Sequence, residues 1–357
     1  MARKSLFVFC SLLIIMGLIA CSNTSKETGT SNEQETSEEP AKVDPIKLKV
    51  ADSFPTSHVL SKEGAVFWMN RVTELTDGQV EFEHFPAEQL GKAASLLDLA
   101  RTKTTDIAYV GTAYVADRMP LSGVGELPGA FQSSNEGSTA FWKIANGILL
   151  EEEFLENGVR PVWAVTLTPY QIANINKKMV KIGDFKGEKI RTAGGTQDLT
   201  MNQMGATPVS MPAPEMYSAM DRGTLDGAVA PLNSFKPYQM EQKIKYSTTN
   251  ANLGSFVVNY VINEEIYASL PKNVQEAMKQ AGDETVEYLS KFLDDETEKL
   301  IEEFEGIGID MYELTDEQLE AWSKQLDPVW EQWAKGLEDR GYPANDVIKA
   351  FEEALGK

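Results

Sequence analysis

From Ile46 onward the chain alternates strand-like and helix-like stretches, and this alternation constrains the fold more than any single motif. The stretch "IKLKVADSF" reads as a strand, and Ala65, Trp68, Val72 and Leu75 then recur at helical spacing up to a turn at Asp77-Gly78. "QVEFEHF" follows with period-two alternation, on which His84 is expected to face solvent. The order continues with a helix near Ala93 to Arg101, the strand "DIAYV", a long helix from about Ser134 to Glu156 and the apolar strand "VRPVWAVTL". A second set starts near Pro169: "YQIANI", "EKIRT", a helix from Gln197 to Met204, "TPVSM", a helix from Pro214 to Asp221, then "LDGAVA". Such alternation argues for an α/β protein with helices layered on mixed sheets, and two similar halves imply a cleft between them.

The third section is helical. Pro271 stands just inside a helix start, and Val274, Met278, Ala281, Leu289, Phe292, Leu300 and Phe304 keep a helical spacing after it. One helix over 272–304 would run about 50 Å, longer than a single small lobe, so it is expected to bridge both, with Gly282 as a point of weakness or kinking. A later helix opens with the capping box Thr315 to Gln318 and carries Leu319, Trp322, Leu326, Trp330 and Trp333, with Pro328 expected to bend or interrupt it. Helical apolar spacing normally marks a buried face, so this tryptophan stripe reads as core before it reads as a partner surface.

The first residues are of another kind. In "MARKSLFVFCSLLIIMGLIAC", Arg3 and Lys4 precede an apolar run too short and too early for a stable membrane span, which reads as a secretory signal over 1–20. Leu18-Ile19-Ala20-Cys21 closes it in the order of a lipobox, so this end resembles that of a bacterial lipoprotein, with Cys21 as the lipidated residue. Residues 21–45 are rich in Ser, Thr and Glu with almost no sizeable apolar side chain, and are expected to form a disordered tether. The alternative to a lipobox is an ordinary secretion signal with an incidental cysteine. Loss of the signal also removes Cys10, leaving Cys21 as the one cysteine; with its sulfur acylated, as in a lipoprotein, a disulfide framework, a thiol nucleophile and a cysteine zinc site are excluded. The formal net charge of −21 argues against nucleic acid or anionic headgroups as partners.

In the second half, "FKGEKIRTAGG" sets Arg191 between a short strand and a glycine pair. Reading outward, Lys189-Ile190-Arg191 is followed by Gly205-Ala206-Thr207-Pro208-Val209, Met211, Glu215, Tyr217, Gly223, Asp226-Gly227 and Pro231. Weaker echoes are "TDGQVEFEHFPAEQLG", "TDIAYVGTAYVADRMP", "GELPGAF" and "SLPKNVQEAMKQAG". In order and spacing, over most of residues 46–310, this resembles the solute-binding subunits of tripartite ATP-independent periplasmic (TRAP) transporters, of the dicarboxylate-binding DctP type. The resemblance implies a periplasmic-binding-protein-like fold: two α/β lobes around a ligand cleft, a long lobe-spanning helix and a helical C-terminus. Residues 46–168 plus 251–290 are then allotted to lobe I, and 169–250 plus 291–357 to lobe II. It also implies an extracytoplasmic protein that captures an organic acid and hands it to membrane permease subunits; with the lipobox, this places it lipid-anchored, on the outer face of the cytoplasmic membrane or periplasmic. No motif requires a cofactor or metal, although a metal ion bridging ligand and carboxylates in the cleft stays open.

Within that resemblance Arg191 is the carboxylate anchor. A planar guanidinium matches both carboxylate oxygens, and a closed cleft strengthens the pair. The alternative for Arg191 is a surface arginine paired with one of the chain's many acids. Its place before a helix starting near Thr196 or Gln197 would also aim helix N-terminal amides at an anion, with Gly194 and Gly195 letting backbone approach the ligand. Tyr170 stands where many relatives carry a second arginine and is either a ligand contact or core. Ala228, Val229 and Ala230 replace the polar residues frequent in relatives, which favours a smaller or more apolar acid. Gly111 and Thr112, Phe54 and Ser57 follow strands at ends where open α/β sheets bind ligands. Asn233 either reaches the cleft or caps a helix. Glu215 and Asp226 read as fold punctuation rather than an acid/base pair.

His58 and His84 are the only histidines, His58 near a helix start, and no HExxH, GxSxG, P-loop or GxGxxG occurs. An enzyme is not expected. The other functions weighed are a co-receptor presenting the same ligand to a sensor kinase and, further off, an extracellular hydrolase using Asp or Glu.

Overall fold

The computed structural model describes residues 45–357. The signal expected at 1–20, Cys21 and the tether up to Asp44 lie outside the described residues. In chain order the first half comprises β1 (Ile46–Ala51), α1 (Val66–Leu75), β2 (Val80–Phe85), α2 (Leu96–Arg101), β3 (Ile107–Gly111), α3 (Ser134–Ala145) and β4 (Val159–Thr166). The chain then crosses to β5 (Gln171–Asn174), β6 (Lys189–Thr192), α4 (Thr196–Met204), β7 (Thr207–Ser210), α5 (Met216–Asp221), β8 (Gly227–Ala230) and β9 (Tyr246–Thr248). It returns through β10 (Val257–Asn263) and α6 (Glu264–Ser269) to the long helix α7 (Lys272–Gly306), followed by β11 (Asp310–Tyr312), α8 (Asp316–Leu326), α9 (Pro328–Glu338) and α10 (Ala344–Leu355).

Two mixed sheets result, ordered β2-β1-β3-β10-β4 and β11-β9-β5-β8-β6-β7. In the first, β1 pairs parallel with β2 and β3, and β10 runs antiparallel between β3 and β4. In the second, β6 pairs parallel with β7 and β8. This is the mixed α/β architecture expected from the alternation. The apolar strands β3 and β10 are buried on both faces because helices cover the sheet and β10 lies inside it.

Helix α7 runs unbroken for 35 residues. It packs on α1, α3 and β4 and then reaches β11 of the second sheet. Its apolar stripe is buried from Val274 to Leu293 and again at Phe304, whose ring lies 5.3 Å from Phe235 of the second half. The kink expected at Gly282 is absent for a steric reason. Gly282 is where the helix meets β4: a Cβ there would drive into the Val162 carbonyl and sit 3.5 Å from the Trp142 ring. Glycine is required by close approach, and the packing it permits outweighs its poor helix propensity.

Other expectations are corrected. The helix expected to run from Ser134 to about Glu156 ends at Ala145, where Asn146 donates from its side chain to the Trp142 carbonyl at 2.9 Å and Gly147 follows; shorter helical turns resume at Leu150. His84 does not face solvent. Its Nε2 lies 2.7 Å from Oδ2 of Asp52, a fully buried carboxylate that also accepts from the Phe54 amide at 2.9 Å and the Tyr260 hydroxyl at 2.9 Å. A buried acid needs such donors, and they draw the imidazole inward. The capping box at Thr315 and Gln318 forms, and Pro328 divides the last section into α8 and α9. Trp322 and Trp333 are buried, and Trp330 donates to the Pro128 carbonyl at 2.9 Å. In the stretch 291–357, β11 joins the second sheet and α8 packs on α4, whereas α10 packs on α3 beside the first sheet.

Gly282→Ala sets two effects against each other. Helix propensity favours alanine by about 1 kcal/mol, and overpacking costs about 1 to 3 kcal/mol. Because the obstructing atom is backbone, the steric term wins. We expect a net loss of up to about 2 kcal/mol, read as a lower urea midpoint at unchanged slope; equal or greater stability would show that α7 docks more loosely than described.

Candidate functional site

Arg191 sits on β6, one of the central strands of the second sheet, with only 2% of its surface exposed. Its Nε and Nη2 donate to the Met211 carbonyl at 3.0 and 2.8 Å, and Nη2 also lies 3.4 Å from the Tyr114 hydroxyl of the first half. Among the described residues no carboxylate pairs with it, and Nη1 has no acceptor. A buried cation with no counter-ion is costly, and an anion reaching it would offset that cost. Tyr114 is similarly poised. Its oxygen accepts from the Ala213 amide at 3.0 Å as well as from Arg191, which leaves its own proton to be donated.

Arg191 opens into a narrow cavity between the halves. Phe54, His58, Tyr109, Tyr114 and Phe256 come from the first half, and Ala213, Met216, Ala230, Pro231 and Tyr238 from the second. Tyr170, on the crossing from β4 to β5, completes the wall. The rings form a continuous lining: Phe54 lies 4.5 Å from Tyr109 and 4.8 Å from His58, His58 lies 5.3 Å from Tyr238, and Tyr114 lies 5.1 Å from Phe256. Burial holds the Tyr109, Tyr170 and Tyr238 phenols well above their ordinary value, so none of them supplies an anion to Arg191.

Of the residues singled out from sequence, the structure brings Arg191, Tyr170, Phe54 and Ala230 together around this cavity. Gly111 stands behind it, where a side chain would collide with the Tyr109 hydroxyl and the Phe256 ring. Thr112 is turned away, and its hydroxyl accepts from the Asn259 amide group at 3.0 Å. Ser57 and Asn233 line a separate depression with Lys62, Glu63, Lys236 and Glu296. Gly194 and Gly195 serve contact between the halves: both have positive φ, and a Cβ at Gly194 would lie 3.0 Å from the Ala113 carbonyl. The start of α4 does not line the cavity. The Gln197 and Asp198 amides return to the Gly194 and Gly195 carbonyls, and the Thr196 hydroxyl donates across the interface to Gly123. Asp226 accepts from the Lys189 amide at 2.9 Å, holding β6 in place, and Glu215 is exposed on α5's approach.

His58, Tyr109, Tyr114, Tyr238, Phe256 and Met216 were not singled out. The nearest signal is local: Tyr109 and Tyr114 stand within "DIAYVGTAY", beside Gly111 and Thr112. Tyr238 and Phe256 reach the cavity only through the return of the chain to the first sheet.

A ring-lined cavity with one cation left unpaired among the described residues suits a small anionic solute. The family model for bacterial extracellular solute-binding protein, family 7 (DctP), matches residues 51–336, and the chain belongs to that family. It is a family of receptors rather than of enzymes. The C4-dicarboxylate-binding periplasmic protein DctP of Rhodobacter capsulatus is 26% identical over 313 residues, 84% of this chain and 89% of that protein. The fold matches a TRAP solute-binding protein from Rhodoferax ferrireducens T118 in complex with copurified benzoate, with TM-score 0.81 and 20% identity over 87% of this chain and 98% of that one. It also matches a TRAP periplasmic solute-binding protein from Bordetella bronchiseptica with bound (R)- and (S)-mandelate, with TM-score 0.80 and 24% identity over 87% and 99%. Among the described residues no helix is long and apolar enough to cross a membrane.

One buried acid lies near the site without neutralising it. Burial pushes the Glu126 carboxyl from its ordinary 4.5 up to about 8, against the opposing bond from the Val257 amide, and its Oε2 has no partner among the described residues. Folding therefore takes up a proton here. The associated stability is full below pH 4.5 and is lost as the pH rises through about 8. Glu126→Gln removes that loss. We expect the variant to be no more stable than the parent at pH 5 and more stable at pH 9, the gap widening by at most about 1.4 kcal/mol per pH unit. Parallel unfolding curves across this range would show that Glu126 is ionised in the fold.

Proposed function

We propose that this chain is the receptor of a TRAP-type transporter for a small aromatic monocarboxylate. The observation that carries the reading is Arg191: buried, without a carboxylate partner among the described residues, and facing a cavity walled by aromatic rings. The ligand carboxylate would take the free Nη1 and the Tyr114 proton, while Met211 holds the other face of the guanidinium in place. Rings at 4.5 to 5.3 Å from one another then enclose a planar apolar body. A second carboxylate would find no second cation in this lining, because Tyr170 and Ala230 are neutral, which favours a monocarboxylate over a C4-dicarboxylate. The benzoate and mandelate bound by the two structural relatives are acids of this kind.

Capture works by closure. Lobe I would carry β1–β4 and β10, and lobe II β5–β9 and β11, with the acid bridging them and stabilising the closed state by its differential affinity. The closed receptor then hands its ligand to the membrane permease, tethered at the outer face of the membrane by lipid on Cys21.

Titration calorimetry with benzoate, mandelate, succinate and a sugar acid tests the reading. We expect the aromatic acids to bind and Arg191→Ala to weaken them by about 2 to 5 kcal/mol, with Arg191→Lys intermediate because it keeps the charge but not the fork. Unchanged affinity in a folded Arg191→Ala variant would remove Arg191 from the site, and tighter binding of succinate would overturn the monocarboxylate preference.

A further inference from the structure

His58 lines the same cavity from the opposite half to Arg191, and its two ring nitrogens are in unequal situations. Nδ1 accepts a hydrogen bond from the Leu60 amide at 3.1 Å, so it carries no proton. The neutral ring must then hold its proton on Nε2. That N–H is buried and has no partner among the described residues, although the imidazole is only 1% exposed. Its ring neighbours are Phe54, which offers no acceptor, and Tyr238, met at 54° between ring planes. Burial lowers the imidazole to about 3, so the ring stays neutral and the donor stays in place at every physiological pH. A fixed, unsatisfied donor in a ligand cavity is a demand on the ligand: leaving it unpaired is unfavourable, and pairing it discriminates between otherwise similar molecules.

Building on the proposed function, we propose that His58 Nε2–H donates to an uncharged oxygen of the bound acid, a hydroxyl, ether or carbonyl remote from its carboxylate, and so selects oxygen-bearing aromatic acids over the unsubstituted parents. The partner is uncharged because one neutral N–H does not offset the burial of a second anion. Since His58 belongs to the first half and Arg191 to the second, such a ligand is held at both ends and ties the halves together. An unsubstituted acid contacts His58 only through its rim and leaves the donor empty.

The test compares dissociation constants of the full chain for benzoate against 3- and 4-hydroxybenzoate, and for phenylacetate against mandelate and the hydroxyphenylacetates. At least one oxygen-bearing acid should bind about tenfold more tightly than its parent. His58→Phe, which keeps a ring but removes the donor, should abolish that ratio by weakening the oxygen-bearing acid more than its parent. His58→Gln, whose amide nitrogen falls near the position of Nε2, should restore part of it. Should His58→Phe fail to fold, the wild-type ratio, the glutamine variant and ring ¹⁵N spectra decide. The chain has only two histidines, so those spectra are simple, and the His58 Nε2–H signal should shift and become protected with the preferred acid but not with its parent. An unchanged ratio in His58→Phe, no preference in the wild type, or a proton found on Nδ1 would each overturn the proposal. Binding of parent acids without preference would leave the carboxylate reading standing, whereas no binding of any acid would sink both.

Discussion

A guanidinium held out of water without a counter-ion is the constraint around which the rest of this molecule is arranged. Taking such a charge from water costs several kcal/mol even after relaxation, and the two bonds to the Met211 carbonyl recover part of that while fixing the plane of the fork. What the surroundings withhold matters as much. The Tyr109, Tyr170 and Tyr238 phenols of the wall are held above their usual range, and the buried Glu126 nearby is pushed up to about 8. An internal carboxylate would stabilise the empty protein and compete with the solute. With none beside it among the described residues, the charge is left free to meet an anion.

The fold supplies both the position and the exclusion of water. β6 lies between β7 and β8, and its register to Ala228 is locked by the Asp226 side chain on the Lys189 amide, so Arg191 projects from a rigid strand rather than a loop. The opposite wall is set by Asp52, whose bond to the Phe54 amide fixes the turn carrying Phe54 and His58 after β1. Glycines appear where these walls must approach: Gly111 clears the Tyr109 and Phe256 rings, and Gly194 lets β6's end meet the Ala113 carbonyl. Helix α7, docked through Gly282 on β4 and through Phe304 on Phe235, connects the two cores.

The same distinction between local and long-range causes explains what could be read from sequence. Strand and helix alternation, the unbroken stripe of α7, the capping box at Thr315 and the interruption at Pro328 are local signals, and the chain carries them within a few residues. Arg191 was legible because a strand-end arginine before two glycines lies in a family pattern. Most of the aromatic lining was not, since Tyr109, Tyr114, Tyr238 and Phe256 join Phe54 and Tyr170 only after two crossings between sheets. Nor was the environment of His84, because periodicity assigns a face but cannot reveal the buried Asp52 that draws the ring in. Gly282 shows the limit most clearly: propensity alone reads it as a weakness, whereas the neighbouring Val162 carbonyl makes it necessary.

An acidic chain that captures an acid needs an account of why its own charge does not prevent it. The formal charge of −21 is spread over a surface tens of ångströms across, and at physiological salt interactions beyond about 8 Å are largely screened. At a 4 Å separation, one opposite charge is worth about 1 kcal/mol in water and about 4 kcal/mol at the effective dielectric of a protein interior near its surface. On the proposed reading, contact with Arg191 inside a ring-lined cavity would outweigh a screened repulsion that acts mainly on the approach. The acidic surface would slow encounter, while the interior cation would govern residence. With one cation in the lining, selectivity between acids would then fall to the uncharged contacts, which is where the buried donor at His58 would have its leverage.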